Sequence, residues 1–325
     1  MRILVTGSSG HLGEALTRVL RDQRHEVTGL DVLASPQTTV VGSIVDRPTV
    51  QRCVAGVDAI VHTATLHKPH VGSHGRVDFV ETNVAGTLNL LEEAVGAGAS
   101  RFIFTSTTSA FGRALTPARG QPAAWITEDV VPVPRNIYGA TKTAAEDLCQ
   151  LTWQDHGLPC LILRTSRFFP EPDDRDDIRN TYDDLNIKIN ELLYRRVDLE
   201  DVVSAHLLAL EKAPSIGFGR YVISATTPFS PDDLTNIRHD LPAVVQNRFP
   251  DYANTYAARG WRMFPSIERV YVNERARREL GWAPRYDFAH ALERLGNDED
   301  PRSELARSIG AKGYHAASTG VYTVR

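Results

Sequence analysis

The stretch Arg2-Ile3-Leu4-Val5-Thr6-Gly7-Ser8-Ser9-Gly10-His11-Leu12-Gly13 decides the fold of this chain. A short apolar run ends at a glycine-rich turn, after which Leu12, Leu16 and Leu20 recur at helical spacing. The predicted order is therefore strand, turn, helix. Backbone N–H groups in such a turn, together with the N-terminus of the helix that follows, form a site that favours an anion.

A second apolar run, residues 26–30, ends at Asp31, 18 residues after Gly13. A carboxylate at this place accepts hydrogen bonds from a ribose 2′-OH and repels a 2′-phosphate. The alternative is a tight turn that binds nothing. The whole pattern favours a dinucleotide site with NAD preferred to NADP, and its predicted contacts in the turn are Gly7, Ser9, Gly10, His11, Leu12 and Gly13.

Strand and helix patterns continue to alternate through the first half of the chain. Further strands are predicted at 38–41, 59–62, 101–105 and 160–164, with helices at 83–95 and 138–150. This alternation predicts an α/β fold, a Rossmann-type doubly wound parallel sheet with helices on both faces. A helix at 199–212 and a strand at 220–224 are expected to return to the sheet.

The change of pattern after residue 165 predicts a division of the chain. Residues 1–165, completed by 197–225, are expected to bind NAD. Residues 166–196 and 226–300 are expected to form a smaller, mostly C-terminal substrate-binding subdomain. The acidic stretch 170–184 is interpreted as a solvated loop or small irregular subdomain. Residues 301–325 are expected to be a tail, extended from Leu305 onward because glycines and small polar residues dominate there.

Composition excludes several other classes of protein. Lys and Arg number 36 and Asp and Glu 40 in 325 residues, so no nucleic-acid or anionic membrane surface is expected. Cys53, Cys149 and Cys160 are too far apart for a CxxC pair, which favours buried free thiols in a reducing compartment. No apolar run approaches the roughly 20 residues of a membrane span, and no signal-peptide pattern opens the sequence. We therefore expect a cytoplasmic protein.

Tyr138 and Lys142 stand four residues apart, on one face of a predicted helix. A neighbouring ammonium group stabilises a phenolate, so Lys142 is expected to lower the pKa of Tyr138 and let it act as a general base. The same spacing occurs by chance on solvated helix faces. Next to a dinucleotide turn, however, it indicates a catalytic pair.

Other motifs accompany this pair in a fixed order: His62-Thr63-Ala64, Asn83-Val84-Ala85-Gly86-Thr87, Phe104-Thr105-Ser106-Thr107 and Val197-Asp198-Leu199-Glu200-Asp201-Val202. With them the chain resembles the extended short-chain dehydrogenase/reductases, the group that includes NAD-dependent sugar epimerases and dehydratases. The resemblance covers about the first 225 residues and continues weakly through 279–284.

This resemblance implies roles for individual residues. Tyr138 is the expected acid/base, and Lys142 is also expected to bind the nicotinamide ribose. Thr107, with Ser106 as the adjacent alternative, is expected to hydrogen-bond the reacting oxygen. Further cofactor contacts are expected from Thr63, Ala64, Thr65, Asn83, Thr105 and Phe168. Ser43-Ile44 stands where the family usually presents an Asp and an aliphatic residue to adenine.

The substrate is less well defined. The turn Pro170-Glu171-Pro172 looks like that of uronate dehydrogenases, a comparison that places Thr108, Ser109, Ser166 and Arg175 near the substrate. Seven carboxylates at 171–184 count mildly against a nucleotide-sugar, because they would repel a diphosphate. His67, His70 and His74 are interpreted as a loop over the substrate, since their spacing matches no standard metal site. His62 is interpreted as a packed histidine.

Three functions stay open at this point. The first is an NAD-dependent oxidoreductase that acts on a secondary hydroxyl of a sugar, sugar acid or similar polyol. The second is a sugar or nucleotide-sugar epimerase, like UDP-glucose 4-epimerase, in which bound NAD is recycled. The third is a non-catalytic cofactor-sensing protein. By resemblance alone, the helices at 83–95 and 138–150 are expected to pair two copies into a homodimer through a four-helix bundle.

Overall fold

The computed structural model describes residues 1–173 and 175–312. Its strands are β1 (Arg2–Thr6), β2 (Glu26–Asp31), β3 (Val40–Val41), β4 (Ala59–His62), β5 (Arg101–Thr107), β6 (Ala124–Ile126), β7 (Cys160–Thr165), β8 (Arg167–Phe168), β9 (Arg196–Val197), β10 (Phe218–Ile223) and β11 (Arg269–Tyr271).

The α-helices are α1 (His11–Asp22), α2 (Arg47–Val54), α3 (Arg76–Val80), α4 (Gly86–Gly96), α5 (Ile137–His156), α6 (Asp176–Thr181), α7 (Asp184–Leu192), α8 (Leu199–Ile216), α9 (Leu234–His239), α10 (Leu241–Arg248), α11 (Tyr252–Ala257), α12 (Glu274–Leu280), α13 (Phe288–Gly296) and α14 (Glu304–Ile309). A π-helical turn, Glu81–Ala85, joins α3 to α4. Single 3₁₀ turns occur at Lys68–Gly72, Thr108–Phe111, Arg113–Leu115 and Pro231–Asp233.

Seven strands form one parallel sheet in the order β10-β7-β5-β4-β1-β2-β3. The chain moves outward in one direction from β1 to β3 and in the other from β4 to β10. Between β1 and β4 the direction reverses, which opens a crevice at the carboxyl ends of the strands. The predicted doubly wound sheet is confirmed, and Gly7 directly follows β1 at this crevice.

Helices bury both faces of the sheet because successive side chains of each strand point to opposite sides. Ile3 and Val5 of β1 pack into a core with α1, α8, α12 and α14, whereas Leu4 packs into a core with α2, α4 and α5. The sheet is therefore a filled layer between two helical layers. The three free cysteines, Cys53, Cys149 and Cys160, lie buried in the second of these cores, as predicted.

A separate hydrophobic core lies in the substrate-side part of the chain. It joins α7, α9, α10, α11 and α13 to β11. Two small parallel sheets, β6 with β11 and β8 with β9, accompany this core. This core is distinct from the two cores that flank the large sheet, and the division into an NAD-binding unit and a smaller substrate-binding unit stays a prediction.

One expectation from the sequence is wrong, and one of two open alternatives is excluded. Residues 304–309 are not an extended tail but the helix α14, because Leu305, Ala306 and Ile309 stand at helical spacing and pack their apolar side chains into the core with α1 and α8. The acidic stretch is not wholly solvated, because Asp173 is fully buried against arginines. The rest of the predicted tail, residues 313–325, lies outside the described residues. No helix of the described chain is long and apolar enough to cross a membrane.

Candidate active site

The turn between β1 and α1 leaves backbone exposed where a side chain would block it. Gly7 has φ +73°, a conformation that L side chains rarely adopt. A Cβ atom on Gly13 would lie 1.9 Å from the Gly7 carbonyl oxygen, so glycine alone allows this close approach. The turn therefore brings the start of α1 to a groove, where the N–H groups of a helix's first turn suit a diphosphate.

Asp31 lies beside this turn at the end of β2. Its Oδ2 accepts a hydrogen bond of 2.9 Å from the Ser9 N–H, and its Oδ1 accepts one of 2.9 Å from the Leu33 N–H. These bonds fix the carboxylate at the wall of the groove. A ribose hydroxyl has an acceptor there, and a 2′-phosphate meets a negative charge.

The groove has a cavity volume of about 320 Å³ and brings together most of the predicted cofactor residues. Those that line it are Gly7, Ser9, Gly10, His11, Leu12, Gly13, Asp31, Ser43, Ile44, Thr63, Ala64, Thr65, Thr105, Tyr138 and Phe168. The glycine turn suits a diphosphate, and the Asp31 carboxylate beside it suits a ribose. The apolar side chain of Ile44 suits an adenine ring. The residues present therefore fit NAD.

Asn83 lies behind this wall rather than in it. The side chain is 2% exposed and its amide is fully hydrogen-bonded: Oδ1 accepts from Leu66 N (2.8 Å) and Thr65 Oγ1 (2.9 Å). Its Nδ2 donates to Leu66 O (2.8 Å) and Thr141 Oγ1 (3.0 Å). Asn83 thus ties the loop after β4 to the helix that carries Tyr138.

Tyr138 lies where the cofactor groove meets a second cavity, and it lines both. Its phenol is hydrogen-bonded to the side chain of Thr107, which also accepts a bond of 3.0 Å from the Ser109 N–H. Burial, together with the nearby Glu171 carboxylate, raises the pKa of Tyr138, although the Thr107 hydrogen bond opposes this. The predicted lowering of this pKa by Lys142 is wrong for the structure.

The position of Lys142 explains that difference. Its Nζ donates a hydrogen bond of 2.7 Å to the Thr105 carbonyl oxygen and lies 3.9 Å from the centre of the Phe104 ring. Burial lowers the pKa of Lys142 to about 7, while Glu146, one helical turn further along α5, opposes this. The ammonium group is therefore held by the end of β5 and is easily deprotonated.

Ser106 and Thr107 are separated by the alternation of β5. The Ser106 Oγ donates a hydrogen bond of 2.5 Å to Glu146 Oε1, and Glu146 is paired with Arg164 at 2.7 Å. This buried group supports the helix beneath Lys142. Thr107, by contrast, reaches Tyr138 and the second cavity. The geometry favours Thr107 as the partner of a reacting oxygen.

The second cavity has a volume of about 260 Å³. Of the predicted substrate residues, Thr108, Ser109 and Ser166 line it. Arg175 does not, because its side chain is 62% exposed and pairs with Asp177 at 2.5 Å. Of the described carboxylates in the acidic stretch only Glu171 lines the cavity, so the stretch does not make this cavity acidic.

Several residues of this cavity were not predicted from the sequence: Lys68, Arg135, Arg167, Arg195, Arg269 and Tyr271. They come from loops and strands far apart in the chain, so no local motif marks them. His67 lines both cavities, with its ring centre 6.4 Å from that of Tyr138, and His70 lines the groove, in keeping with the predicted loop at the substrate. Within residues 1–173 and 175–312 no three His, Cys, Asp or Glu side chains are grouped to hold a metal ion.

His62 is packed, as predicted. Its Nδ1 is 2.7 Å from Thr6 Oγ1 and its Nε2 is 3.0 Å from Thr87 Oγ1. Burial, together with the charge of Lys142, lowers its pKa well below the usual range, so the ring is neutral. It braces β1 and β4 against α4 behind the glycine turn.

Comparison with known proteins defines the class. Residues 3–224 match the model of the NAD-dependent epimerase/dehydratase family. The chain belongs to this family; it is an enzyme of the short-chain dehydrogenase/reductase type, and its cofactor is NAD.

Individual relatives are more varied. The chain is 29% identical to a 2-alkyl-3-oxoalkanoate reductase of Stenotrophomonas maltophilia, over 91% of this chain and 98% of that protein. It is 26% identical to a uronate dehydrogenase of Pseudomonas syringae, over 59% of this chain and 70% of that protein. A short-chain dehydrogenase/reductase superfamily protein of Agrobacterium tumefaciens, solved with bound NAD, shares the fold with a TM-score of 0.66. It is 24% identical and covers 95% of this chain and 99% of its own.

Proposed function

We propose that this protein is an NAD-dependent oxidoreductase that oxidises a secondary hydroxyl of a sugar, sugar acid or similar polyol, or reduces the corresponding ketone. The observation that carries the proposal is the position of Tyr138. Its phenol joins Thr107 at the junction between a groove that fits NAD and a small polar cavity. A hydroxyl in that cavity lies next to a proton acceptor and beside the cofactor.

The proposed chemistry assigns one task to each side chain. NAD, when bound, accepts or returns the hydride. The phenol of Tyr138 takes the proton of the substrate hydroxyl, and Thr107 Oγ1 hydrogen-bonds the same oxygen and holds it in place. Because burial raises the pKa of Tyr138, the base form needs a nearby positive charge. We therefore expect Lys142 to leave the Thr105 carbonyl and approach the phenol in the reacting complex.

The size of the cavity favours net oxidation or reduction of a small substrate over epimerisation of a nucleotide-sugar. Its volume of about 260 Å³ is below the range of roughly 300–1,000 Å³ that encloses drug-sized ligands. One sugar ring fits this volume, and a nucleotide-sugar needs more. The epimerase alternative keeps one supporting observation, the cationic lining, which also suits a diphosphate.

Two additional features of the proposal rest on separate observations. Val77 of α3, Val80 of α3 and Leu88 of α4 expose apolar side chains on one helical surface, which supports a homodimer through these helices and α5. Three buried free thiols support a cytoplasmic location, where thiols stay reduced.

Turnover with added NAD tests the function. The purified protein is incubated with NAD and, separately, with free hexoses, hexuronic acids and UDP-sugars, and both NADH and sugar products are measured. Accumulation of NADH with a free sugar or sugar acid supports the oxidoreductase. Conversion of a UDP-sugar into its epimer without net NADH supports the alternative. A Tyr138→Phe variant as active as the wild type refutes the proposed role of the phenol.

A further inference from the structure

The substrate cavity is strongly cationic. Its described lining contains five side chains that carry positive charge and a single carboxylate, Glu171: the cations are Lys68, Arg135, Arg167, Arg195 and Arg269. Partial desolvation, together with the charges of Arg167, Arg195 and Arg269, lowers the pKa of Lys68 to about 8. The positive groups therefore act on one another across a shared space.

Two buried carboxylates hold several of these arginines in place. Asp173 and Glu191 are both fully buried. Asp173 pairs with Arg167 at 2.9 Å and with Arg195 at 2.5 Å, and Glu191 pairs with Arg195 and with the buried Arg196. The two buried carboxylates thus hold Arg167, Arg195 and Arg196 in fixed positions beneath the cavity.

Arg269 differs from those arginines in its surroundings. Within the described part of the chain no carboxylate lies within ion-pair distance of it, and its Nε is buried without a hydrogen-bond partner. Its guanidinium lies 5.9 Å from the ring centre of Tyr194 and 5.8 Å from that of Tyr271. The backbone of Arg269 is held in β11, in register with Ala124 of β6.

The two tyrosine rings near Arg269 do not replace a counter-charge. A ring attracts a cation through its π face, but it carries no net negative charge and accepts no forked pair of hydrogen bonds from a guanidinium. A positive group that is partly buried and has no counter-charge is costly until an anion binds to it. Arg269 is therefore prepared for a ligand that supplies a negative charge.

We propose that the substrate carries an acid group, a carboxylate or a phosphate, and that Arg269 is the residue that selects for it by forked hydrogen bonds. This inference rests on the proposed function, since it names the substrate class of the same cavity. A cavity of about 260 Å³ favours a carboxylate on the sugar itself over a phosphate with a further group attached.

Ligand binding, measured apart from turnover, tests this selection. D-glucuronate, glucose 6-phosphate, UDP-glucose and glucose are each titrated by calorimetry into the NADH-loaded wild type, Arg269→Gln and Arg238→Gln, because the reduced cofactor cannot accept a hydride and the sugar is not oxidised during the titration. Arg238 on α9 is the matched control: it belongs to the same subdomain, pairs with Glu268 at 3.5 Å and does not line the cavity. Loss of a charged hydrogen-bonding partner is expected to weaken acid binding roughly 10- to 100-fold in the Arg269 variant alone.

The outcomes separate this inference from the proposed function. Tighter binding of an acid than of glucose, lost in Arg269→Gln and kept in Arg238→Gln, supports it, and the acid that binds best identifies the anionic group. Equal binding of glucose and the acids, no binding of any acid, or equal acid binding by Arg269→Gln and wild type overturns it. Oxidation of a neutral sugar with normal turnover then leaves the proposed function standing. If an acid binds through Arg269 but is never oxidised or reduced, the role of Arg269 in binding an acid is supported and the proposed oxidoreductase function is refuted.

Discussion

Replacing Lys142 by Met removes an ammonium group that burial strongly disfavours. The side chain is only 2% exposed, and burial lowers its pKa from an ordinary value of 10.5 to about 7. Between pH 7 and pH 10.5 the unfolded chain holds a proton on Lys142 that the folded protein does not hold. The free energy of unfolding therefore rises with pH across that range. Below pH 7 the folded protein carries the buried charge, and the full free-energy cost of burying it lowers the stability.

The size of the effect follows from the pKa shift. Each tenfold change in proton concentration within the window changes the unfolding free energy by about 1.4 kcal/mol. From pH 7, where about half of the folded molecules still carry the proton, to pH 9, the gain is about 2 kcal/mol. Met has no proton to lose. The loss of the 2.7 Å hydrogen bond to the Thr105 carbonyl is a constant offset that cancels in the comparison.

Urea denaturation at pH 7 and pH 9 measures this difference. Relative to Lys142→Met, the wild type is expected to gain about 2 kcal/mol of stability on going to pH 9. Lys212→Met is the control, because Lys212 on α8 is 41% exposed and pairs with the exposed Glu211, so this variant is expected to follow the wild type. Parallel pH profiles for the wild type and Lys142→Met would refute the assignment of a proton change to Lys142.

Three further changes probe the site. Tyr138→Phe is expected to lower kcat by at least about 100-fold while the calorimetric affinity for NAD stays nearly constant, because only the general base is lost; a large loss of affinity would contradict this. Asp31→Asn is expected to reduce the ratio of kcat/KM with NAD to that with NADP by about tenfold, since the charge that repels a 2′-phosphate is gone; an unchanged ratio would show that Asp31 does not discriminate. Lys312→Met is expected to weaken NAD binding several-fold, because Glu14 in the first turn of α1 pairs with both Arg18 and Lys312, and losing one of these two cations leaves more negative charge beside the diphosphate site. Adding Glu14→Gln is expected to restore that affinity, and failure of this rescue would show a merely structural role.

Local motifs were sufficient for the cofactor side of the protein. A glycine turn needs its neighbours in sequence only, because the strand, turn and helix that hold a diphosphate are consecutive. Asp31 follows at the end of the next strand for the same reason. The groove accordingly contains the predicted turn, Asp31, Thr63 and Phe168. The sequence alone did not determine the role of Asn83. Its motif predicted a contact with the cofactor, but in the structure its side chain is hydrogen-bonded to Thr65 and Leu66 behind the wall of the cofactor groove.

The substrate side depended on contacts between distant segments. Arg269 and Lys68 are 201 positions apart and carry no motif, yet they line one cavity. The acidic stretch counted against a diphosphate, but only the fold shows that Asp177 is exposed, that Asp173 is buried against arginines and that Glu171 lines the cavity. The pKa of Tyr138 is raised because the phenol is buried and because the Lys142 ammonium is held at the Thr105 carbonyl. The four-residue spacing of Tyr138 and Lys142 determines neither of these two features.

The sequence by itself determined the alternation of strands and helices, the glycine turn with Asp31 and the candidate catalytic pair, because each is encoded by residues that are near neighbours in the chain. Tertiary structure alone decided which of Ser106 and Thr107 meets the phenol, that α14 closes the core, and that the substrate cavity is positive. These properties come from side chains whose mutual distances are set by packing across the whole chain, and charge in a cavity depends on distance and burial rather than on order in sequence.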